Sequence, residues 1–571
     1  MQLNNNFKGN STGSAISTFF TIIFCVFLNF IQAQYVSPVR HKVLLGGAFG
    51  ELRGTHFHAG IDIKPTKPGF EGDDLLSIGD GYVSRIKTQR GGYGRAVYID
   101  HPDGQTSVYG HLSSFSLDIL KVLTAYQIEK ESYEVDLFLK PNELPIKKGQ
   151  VIGTMGNAGR SFGSHLHFEI RDTKTDVTLH PSDFGFKHKD TQAPTIVSIG
   201  IHGLLPDFHN RSYSNINNFS RTKNGNIPEF VIPAWSGGIS LQAYDTHDGA
   251  PNKNGYYEAK LFVDDTLYYH IKMDLISYDE GPLIKSFVDY PLRQKNNRTE
   301  ALLFRLPSNK TLPVKYDYKN GVFPIFGSKA SNIRVEVSDY EGNTSFAYFR
   351  VKRSEQIIDQ PYERTFDEYL KVDEEYKDLI INQLKINIPT FSFARNQYFN
   401  AKIITPFPLC IRVGDKNEAL IKPIEICIPV DENMITDKTV LTTKDGNSTI
   451  ATVGTYKNGY WCSQIASFGE YCLSTDNQAP TINVTTNFNK LTGVKNLSAS
   501  LYDNMSYRAP GAPFTYKVFI DGKFFPCEYR ELNRRLTIPI SQLTSGKHTI
   551  EIRCRDFVGN ESVWKNTINK L

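Results

Sequence analysis

Short runs in which apolar and polar residues alternate recur along most of the chain, whereas long amphipathic runs are few. Alternation with a period of two places successive side chains on opposite faces of a strand. The 30 Tyr and 37 Phe residues are also types that strands favour. The pattern therefore predicts a mainly β protein. Its 571 residues are too many for a single core, and at about 150 residues per domain we expect three or four domains.

An internal repeat divides the chain. The run Asp190–Ile196 (DTQAPTI) returns as Asp476–Ile482 (DNQAPTI), and each copy ends in an Asp-x-x-Gly-Asn turn, at Asp339–Asn343 and Asp556–Asn560. Alternating strands that end in such turns are typical of an antiparallel sandwich. We therefore predict β-sandwich modules at 190–353 and 476–571. Both resemble the immunoglobulin-like modules that are common on bacterial surface proteins, and the first carries an extra excursion over residues 273–319.

Two further segments follow from these boundaries. Residues 354–475, between the repeats, are predicted to form another β-rich module. Its opening stretch Phe366–Gln383 is rich in acidic residues and is expected to be helical or irregular. Residues 36–189, ahead of the first repeat, form a separate domain. That domain contains the residues from which chemistry can be predicted.

The N-terminus has the pattern of a signal peptide over residues 1–33. Lys8 supplies a positive charge, Ile16–Phe30 supplies an apolar run, and Ala33 suits a cleavage site. The alternative is an uncleaved anchor, since Ile31 is larger than the third position before a cut usually allows. The run is short for a membrane span, so cleavage is the prediction. The mature protein is then exported to the periplasm, the cell surface or the medium, with no integral membrane span.

Cysteine usage agrees with an oxidising compartment. Removal of Cys25 with the signal leaves six cysteines, all beyond residue 400, and an even number permits disulfides. Cys462 and Cys472 are expected to pair, because ten residues with Gly469 between them allow a strand-turn-strand link. Weaker expectations are the pairs Cys527–Cys554 and Cys410–Cys427.

Charge and histidine placement narrow the function. The net charge of +4 gives no electrostatic case for nucleic acid as a partner. Nine of the 14 histidines lie between His41 and His188. That region has no cysteine, so a metal site there must use imidazoles and carboxylates.

Two short motifs in this region suggest a metal site. His58-Ala-Gly-Ile-Asp62 sets an imidazole and a carboxylate four residues apart around a glycine. In His165-Leu-His-Phe-Glu169, strand alternation places His165, His167 and Glu169 on one face. Two such imidazoles can face one cleft, one of them binding a metal ion and the other held beside it. Two His ligands and an Asp leave the fourth tetrahedral position open, which is typical of catalytic zinc.

A third motif makes the pattern specific. Together with Tyr109-Gly-His111, the two motifs resemble the His-x-Gly-x-Asp, Tyr-x-His and His-Leu-His-Phe-Glu elements of lysostaphin-type (LytM-type) zinc endopeptidases, in the same order. The resemblance covers about 150 residues. It implies an antiparallel β-sheet peptidase domain with Zn²⁺ as cofactor. The implied zinc ligands are His58, Asp62 and His167, and the implied unligated catalytic pair is His111 and His165.

The resemblance also implies a function. We expect an exported zinc-dependent endopeptidase that hydrolyses peptide cross-links of bacterial peptidoglycan in wall remodelling or lysis. The chain has no His-Glu-x-x-His motif, so a histidine must act as the base, and which of the two does so stays open. One alternative is a non-catalytic wall-binding protein that activates other wall hydrolases. Another is a secreted protease that acts on proteins, with the sandwich modules docking it to proteins or the cell surface.

Three nearby residues have open roles. Glu169 either orients a ligand imidazole or forms a surface salt bridge. Arg53 and Arg160 either bind substrate carboxylates or are solvated. His56 lacks the four-residue spacing to an aspartate and is not expected to be a ligand.

An insertion at 117–145 departs from the compact form of the family. Its first half has helical spacing of apolar residues, and its second half alternates like a strand. We expect it to lie along one rim of the substrate groove, because the chain leaves the sheet soon after His111 and returns before His165. The alternative is a surface hairpin packed away from the site.

Overall fold

The computed structural model describes residues 35–186, 189–355, 365–486, 494–507 and 514–570. The predicted signal peptide, residues 1–33, lies outside these ranges. Within them, no helix has the length and apolar character needed to cross a membrane. The fold is mainly β, and nearly all neighbouring strands are antiparallel, as the alternation predicts.

The N-terminal domain is built on one antiparallel sheet with the strand order β1-β2-β11-β6-β5-β4-β8, and a small second sheet β3-β10-β7 lies beside it. Its strands are β1 (Leu45–Gly47), β2 (Ile61–Ile63), β3 (Asp74–Leu76), β4 (Gly81–Thr88), β5 (Arg95–Asp100), β6 (Gln105–Gly110), β7 (Ser114–Phe115), β8 (Val135–Phe138), β9 (Pro145–Ile146), β10 (Val151–Thr154), β11 (Leu166–Asp172) and β12 (Thr178–Leu179).

Strand β11 is central to this sheet and carries the site. It pairs with β2 on one side and β6 on the other, and six of its seven residues are buried. The register sets His167 opposite Asp62 on β2 and opposite Gly110 on β6. His111 follows directly after β6. Three motifs that are far apart in sequence therefore meet at one end of three adjacent strands.

The insertion forms helix α1 (Leu117–Lys130) followed by β8, which confirms the predicted helix and strand. Ile119 and Leu123 on α1 are buried in the main core. Strand β8 pairs with β4 at the edge of the sheet opposite to β1. The hydrogen bonds and ion pairs described for the insertion do not join it to the five predicted site residues, so its place on the groove rim stays a prediction.

The first repeat (190–353) contains two six-stranded sheets. Its elements are β13 (Thr195–Leu204), β14 (Asn210–Ile216), β15 (Glu229–Ile232), β16 (Ser236–His247), β17 (Ala250–Asn254), β18 (Glu258–Val263), β19 (Thr266–Lys272), β20 (Leu275–Ile276), α2 (Ile284–Phe287), α3 (Tyr290–Asn296), β21 (Ala301–Leu302), β22 (Val314–Asp317), β23 (Phe323–Pro324), β24 (Ser331–Ser338) and β25 (Thr344–Arg353). Strand β20 pairs with β12, and one continuous core joins this module to the N-terminal domain. The immunoglobulin-like assignment stays a prediction.

The middle module (354–475) is β-rich, as predicted. Its strands are β26 (Glu368–Leu370), β27 (Tyr376–Ile381), β28 (Leu384–Ile388), β29 (Gln397–Phe399), β30 (Ala401–Pro406), β31 (Leu409–Val413), β32 (Ile424–Pro429), β33 (Thr439–Asp445), β34 (Ser448–Lys457), β35 (Tyr460–Ile465) and β36 (Gly469–Thr475). The helical or irregular expectation for Phe366–Gln383 is only partly right, because β26 and β27 lie there and the residues between them are irregular. Strand β27 is at the end of its sheet, where exposed charged residues are tolerated.

The disulfides differ from all three predicted pairs. The bonds are Cys410–Cys472 and Cys427–Cys462, whereas Cys527 and Cys554 are free and buried. Each bond joins residues that face one another on neighbouring strands, β31 with β36 and β32 with β35. Strand pairing between segments far apart in sequence decides the connectivity, so the short separation of Cys462 and Cys472 was a poor guide.

The second repeat (476–571) has two four-stranded sheets. Its strands are β37 (Thr481–Val484), β38 (Asn496–Tyr502), β39 (Ser506–Tyr507), β40 (Phe514–Ile520), β41 (Lys523–Phe524), β42 (Glu528–Arg530), β43 (Arg535–Pro539), β44 (Gly546–Asp556) and β45 (Glu561–Lys570). Short 3-10 helices also occur at Pro181–Phe184, Tyr278–Leu283, Tyr318–Gly321, Glu432–Met434, Glu531–Asn533 and Ile540–Gln542.

Candidate metal centre and catalytic site

The three predicted ligands converge on one point. His58 Nε2 lies 3.1 Å from Asp62 Oδ1 and 3.0 Å from His167 Nδ1, and the last two atoms are 3.0 Å apart. All three residues are buried. The register of β2 and β11 places Asp62 beside His167, and the turn before β2 brings His58 across the end of the sheet.

The outward nitrogens of the two imidazoles are already occupied. His58 Nδ1 lies 2.7 Å from the carbonyl oxygen of Ala48, and His167 Nε2 lies 2.7 Å from Glu169 Oε1. If each ring carries its proton on that outward nitrogen, lone pairs remain on the two nitrogens that face Asp62. The site thus offers two imidazole nitrogens and one carboxylate oxygen, and a hydrogen bond on the far side of each ring holds that ring in place. This donor set fits a metal ion such as zinc.

The electrostatics of this cluster favour a positive charge within it. Burial would raise the pKa of Asp62, but His58, His165 and His167 outweigh that effect and hold the pKa well below its usual value. Burial likewise opposes protonation of His167, yet hydrogen bonds to Asp62 and Glu169 raise its pKa to about 9. Burial lowers the pKa of His58 to about 4 despite the pull of Asp62. A bound cation would take over the role of the proton on His167.

His111 and His165 lie next to this cluster without joining it. Their ring centroids are 4.7 Å apart, and His165 Nε2 lies 3.5 Å from Asp62 Oδ1. In each ring Nδ1 is 2.8 Å from a backbone carbonyl, of Ala158 for His111 and of Gly163 for His165. If Nδ1 of each ring donates a hydrogen bond to that carbonyl, Nε2 of each ring is able to exchange a proton with a bound substrate or water.

The two histidines differ in environment. His111 is buried, whereas the His165 side chain is 20% exposed. Burial, followed by the proximity of His165 and His167, lowers the pKa of His111 to about 3, so this ring is neutral at neutral pH. His111 also has a left-handed backbone, with φ of 64°, which is uncommon for a residue other than glycine.

Glu169 is fully buried, which excludes the surface salt bridge. It accepts hydrogen bonds from His167 and, at 2.7 Å, from Arg171. The hydroxyls of Tyr93 and Tyr278 donate to the same oxygen that His167 contacts. Burial would raise the pKa of Glu169, but Arg171 and His167 lower it, so the carboxylate stays ionised. Glu169 therefore braces His167 from behind, the first of its two predicted roles.

Two contacts at the site were not expected from sequence. Arg53 Nη2 lies 2.5 Å from Asp62 Oδ2, so Arg53 fixes the second oxygen of that carboxylate instead of being solvated. Tyr278 comes from the 273–319 excursion of the first repeat and reaches Glu169 across the domain boundary. Neither residue belongs to a motif, so no local pattern marks it. His56, by contrast, is exposed and lies outside the cluster, as expected.

Most of the N-terminal domain matches a known protein family. Residues 56–128 and 135–179 match the model of peptidase family M23. The N-terminal domain belongs to this family. The break in the match, at 129–134, falls within the insertion, at the end of α1 and in the turn before β8.

Two curated relatives and one solved structure show how far the similarity reaches. The chain is 34% identical over 114 residues to the DD-carboxypeptidase/endopeptidase Mpg of Neisseria meningitidis serogroup B, covering 20% of each chain. It is 31% identical over 134 residues to the murein hydrolase activator NlpD of Escherichia coli K12, covering 24% of this chain and 27% of NlpD. The chain thus spans only about a fifth to a quarter of these relatives. The catalytic domain of lysostaphin from Staphylococcus simulans matches at 21% identity, with 25% of this chain and 91% of that chain covered and a TM-score of 0.19.

Proposed function

We propose that the M23 domain is an exported, zinc-dependent endopeptidase that hydrolyses peptide cross-links of bacterial peptidoglycan. The observation that carries this proposal is the convergence of His58, Asp62 and His167 within 3.1 Å, with two further imidazoles beside them. Similarity to a DD-carboxypeptidase/endopeptidase supports the choice of substrate.

In this proposal His58, Asp62 and His167 hold the metal ion. Zinc bound there would polarise the scissile carbonyl and activate the attacking water. Ala48 and Glu169 fix the two ligand imidazoles through their outward nitrogens, and Arg53 fixes Asp62. These contacts hold the ligand atoms in place before the ion arrives, so little reorganisation is needed on binding.

His111 and His165 supply proton transfer. Because His111 is neutral at neutral pH, its Nε2 is able to accept a proton. His165 is partly exposed toward the open side, where a substrate would lie. One of the two takes the proton from the attacking water, and the other donates to the developing oxyanion and then to the leaving amine.

A second function is favoured by one comparison. NlpD is described as a murein hydrolase activator, and it is 31% identical to this chain over 134 residues. An activator needs the fold but not the chemistry. The presence of the three-residue cluster with His111 and His165 beside it favours the enzyme, since an activator has no need of these five residues.

The test is digestion of purified peptidoglycan with analysis of the products by mass spectrometry, alongside the zinc content of each variant. His58→Ala, Asp62→Ala and His167→Ala should each lose zinc and activity. His111→Ala and His165→Ala should keep zinc and lose about 10²–10⁴-fold in turnover. His56→Ala, two residues from a ligand but exposed, is the control and should keep both.

The outcomes separate the alternatives. Full zinc occupancy in all three ligand variants would show that the ligand assignment is wrong. If the wild-type protein leaves the wall intact but stimulates a separate wall hydrolase, the activator function replaces the enzyme. Cleavage of proteins without cleavage of the wall would point to the secreted protease.

A further inference from the structure

Each repeat brings three buried aspartates together at the same place in its fold. In the first repeat these are Asp190, Asp245 and Asp339, and in the second Asp476, Asp503 and Asp556. The first of each set lies in the segment before the repeat's first strand. The second lies at the end of β16 or directly after β38, and the third begins the Asp-x-x-Gly-Asn turn.

The turn holds the third aspartate in a fixed orientation. In the second repeat, the backbone N–H and the side-chain amide of Asn560 donate to the two oxygens of Asp556, at 2.8 and 2.7 Å. The same amide donates to the carbonyl oxygen of Asp476 at 2.8 Å, which ties the turn to the entering segment. Asn343 makes the same two contacts to Asp339 in the first repeat, at 2.8 and 2.6 Å.

The entering aspartate is also fixed, by a different donor in each repeat. Tyr507 donates to Asp476 Oδ2 at 2.6 Å. In the first repeat His247 Nδ1 lies 2.9 Å from Asp190 Oδ2 and takes the equivalent place. Oδ2 of the entering aspartate therefore has a hydrogen-bond partner within the protein in both repeats.

The remaining aspartate has an oxygen without a partner. Within the described part of the chain, no hydrogen-bond donor contacts Asp245 Oδ1 or Asp503 Oδ2. The two residues are only 1% and 7% exposed, so both carboxylates are largely shielded from bulk solvent. A buried carboxylate oxygen without a donor, beside two further carboxylates, is costly. The same position has this feature in both repeats.

The distances suit a cation. Oxygens of Asp476, Asp503 and Asp556 all lie within 4.8 Å of one another, which is about twice the 2.3–2.6 Å of a Ca²⁺–oxygen bond. In the first repeat the group of this size consists of Asp190, Asp245 and His247, and Asp339 lines the same cavity as Asp245 and His247. Carboxylate and carbonyl oxygens are the ligands of Ca²⁺, whereas zinc prefers nitrogen and sulfur.

We propose that each repeat binds one Ca²⁺ ion between its three aspartates. The ion is coordinated by the unpartnered oxygen of Asp245 or Asp503, and its positive charge offsets the repulsion among the carboxylates. In both repeats it lies where the chain enters the module. It therefore fastens the module to the domain before it, at Ca²⁺ concentrations of about 10⁻⁴–10⁻³ M, which are typical of extracellular modules.

The first of these sites lies close to the metal centre. Asp245 and Asp339 line a cavity of about 30 Å³ between the first repeat and the M23 domain. Ala48 lines the same cavity, and its carbonyl oxygen contacts His58. Calcium binding here would make the backbone behind a zinc ligand more rigid. The proposal itself does not depend on peptidase activity.

The test counts ions in the full-length protein. Protein stripped of metal is dialysed against about 5 mM Ca²⁺, well above the expected dissociation constant, and its calcium and zinc are measured by elemental analysis. We expect two Ca²⁺ ions per chain, and a midpoint of thermal unfolding that rises with Ca²⁺ concentration. Asp245→Asn and Asp503→Asn should each bind one ion and the double variant none. Asp437→Asn, at an exposed turn, is the control and should bind two.

A second measurement excludes misfolding as the cause. Asparagine keeps the shape of aspartate and removes a repelling charge, so without calcium both variants should unfold at or above the wild-type temperature. Absence of bound calcium in the wild-type protein would overturn the proposal, as would two ions retained in both variants. A single ion that only one variant loses would overturn the site in the other repeat.

Discussion

At the scale of single residues, Glu169 accepts hydrogen bonds from four side chains behind the candidate metal centre. A fully buried carboxylate that accepts from an imidazole, a guanidinium and two tyrosine hydroxyls is fixed in position and in charge. That arrangement fixes the ring of His167, so that Nδ1 is the nitrogen left for a metal ion. The geometry of the proposed ligand set therefore depends on a residue outside that set.

We predict that Glu169→Gln lowers zinc affinity about 10–100-fold. Glutamine has no charge to pair with Arg171, and its amide oxygen is a weaker acceptor for the His167 N–H. Competition with a chromophoric chelator measures the affinity. Glu129→Gln, an exposed change on α1, is the matched control and should leave the affinity unchanged. Equal affinity in wild type and Glu169→Gln would show that His167 needs no brace.

Single residues were predictable from sequence where a motif carried them. His58, Asp62, His111, His165 and His167 were all found in this way, and the structure brings them together. Arg53 and Tyr278 were not found as partners of the site. Their contacts depend on where separate segments meet, and Tyr278 lies 109 residues from Glu169 in another module. No local pattern encodes such a contact.

At the scale of elements, the apolar spacing of the insertion predicted α1 and β8, because helices and strands have different periods. The prediction was only partly right for Phe366–Gln383, where charged residues suggested a helix or loop and two strands joined by irregular residues are present. The disulfide pairs predicted from cysteine separation were wrong because, like the missed contacts, disulfides depend on which distant segments meet in the fold. Cys410 and Cys472 face one another on neighbouring strands, although 62 residues separate them. The period of apolar residues depends only on neighbouring positions in the sequence, whereas strand pairing joins segments that are far apart in it.

The helix of the insertion is packed on the core, so it should contribute to stability. Leu123 is 2% exposed and lies in the main core, whereas Leu120 on the same helix is 42% exposed. We predict that Leu123→Ala lowers the free energy of unfolding by about 2–5 kcal/mol. Leu120→Ala, the control, should change it by about 0.5 kcal/mol or less. Denaturant titration measures both. If the two changes cost the same, α1 is not docked as described and a mobile rim becomes the better account.

At the scale of the whole molecule, the M23 domain is held from two sides. The first repeat shares its core and sends Tyr278 to Glu169, and Phe287 contacts Phe57 edge-on with ring centroids 5.0 Å apart. The second repeat reaches the other side, where Glu528 pairs with Arg95 at 2.7 Å. The two repeats are far apart in sequence, yet both contact the peptidase domain.

Arg90 makes several contacts between the M23 domain and the second repeat. Its guanidinium is buried, pairs with Glu134 of the insertion and donates to the carbonyl oxygen of Phe514 at 2.8 Å. It also lies 5.4–5.6 Å from the centroids of three aromatic rings, those of Phe514, Tyr516 and Tyr529. Truncating one partner of such a pair usually costs about 2–5 kcal/mol of binding.

We predict that Arg90→Ala undocks the second repeat from the M23 domain. Amide hydrogen exchange should rise in β40 and β42, the strands that face Arg90 and Arg95. Arg85→Ala is the matched control. Arg85 lies on β4, pairs with Asp136 and contacts Tyr98 and Phe138, but its described contacts do not include the second repeat. Unchanged exchange in Arg90→Ala would show that the interface depends on other contacts.

Docking should also affect catalysis, through the loop before His165. Arg530 of the second repeat donates to the carbonyl oxygen of Ser161 at 3.2 Å, and the Ser161 hydroxyl lies 3.3 Å from His165 Nδ1. Loss of this support would let His165 move.

Because small displacements of a catalytic group cost up to about 10²-fold in rate, Arg90→Ala and Arg530→Ala should both lower turnover of a short wall peptide. Zinc content should stay at the wild-type level, since the three ligands lie on β2, before it and on β11. If the second repeat undocks but the peptide is still cleaved at the wild-type rate, the second repeat is only a structural partner. The loop before His165 then holds this residue without it.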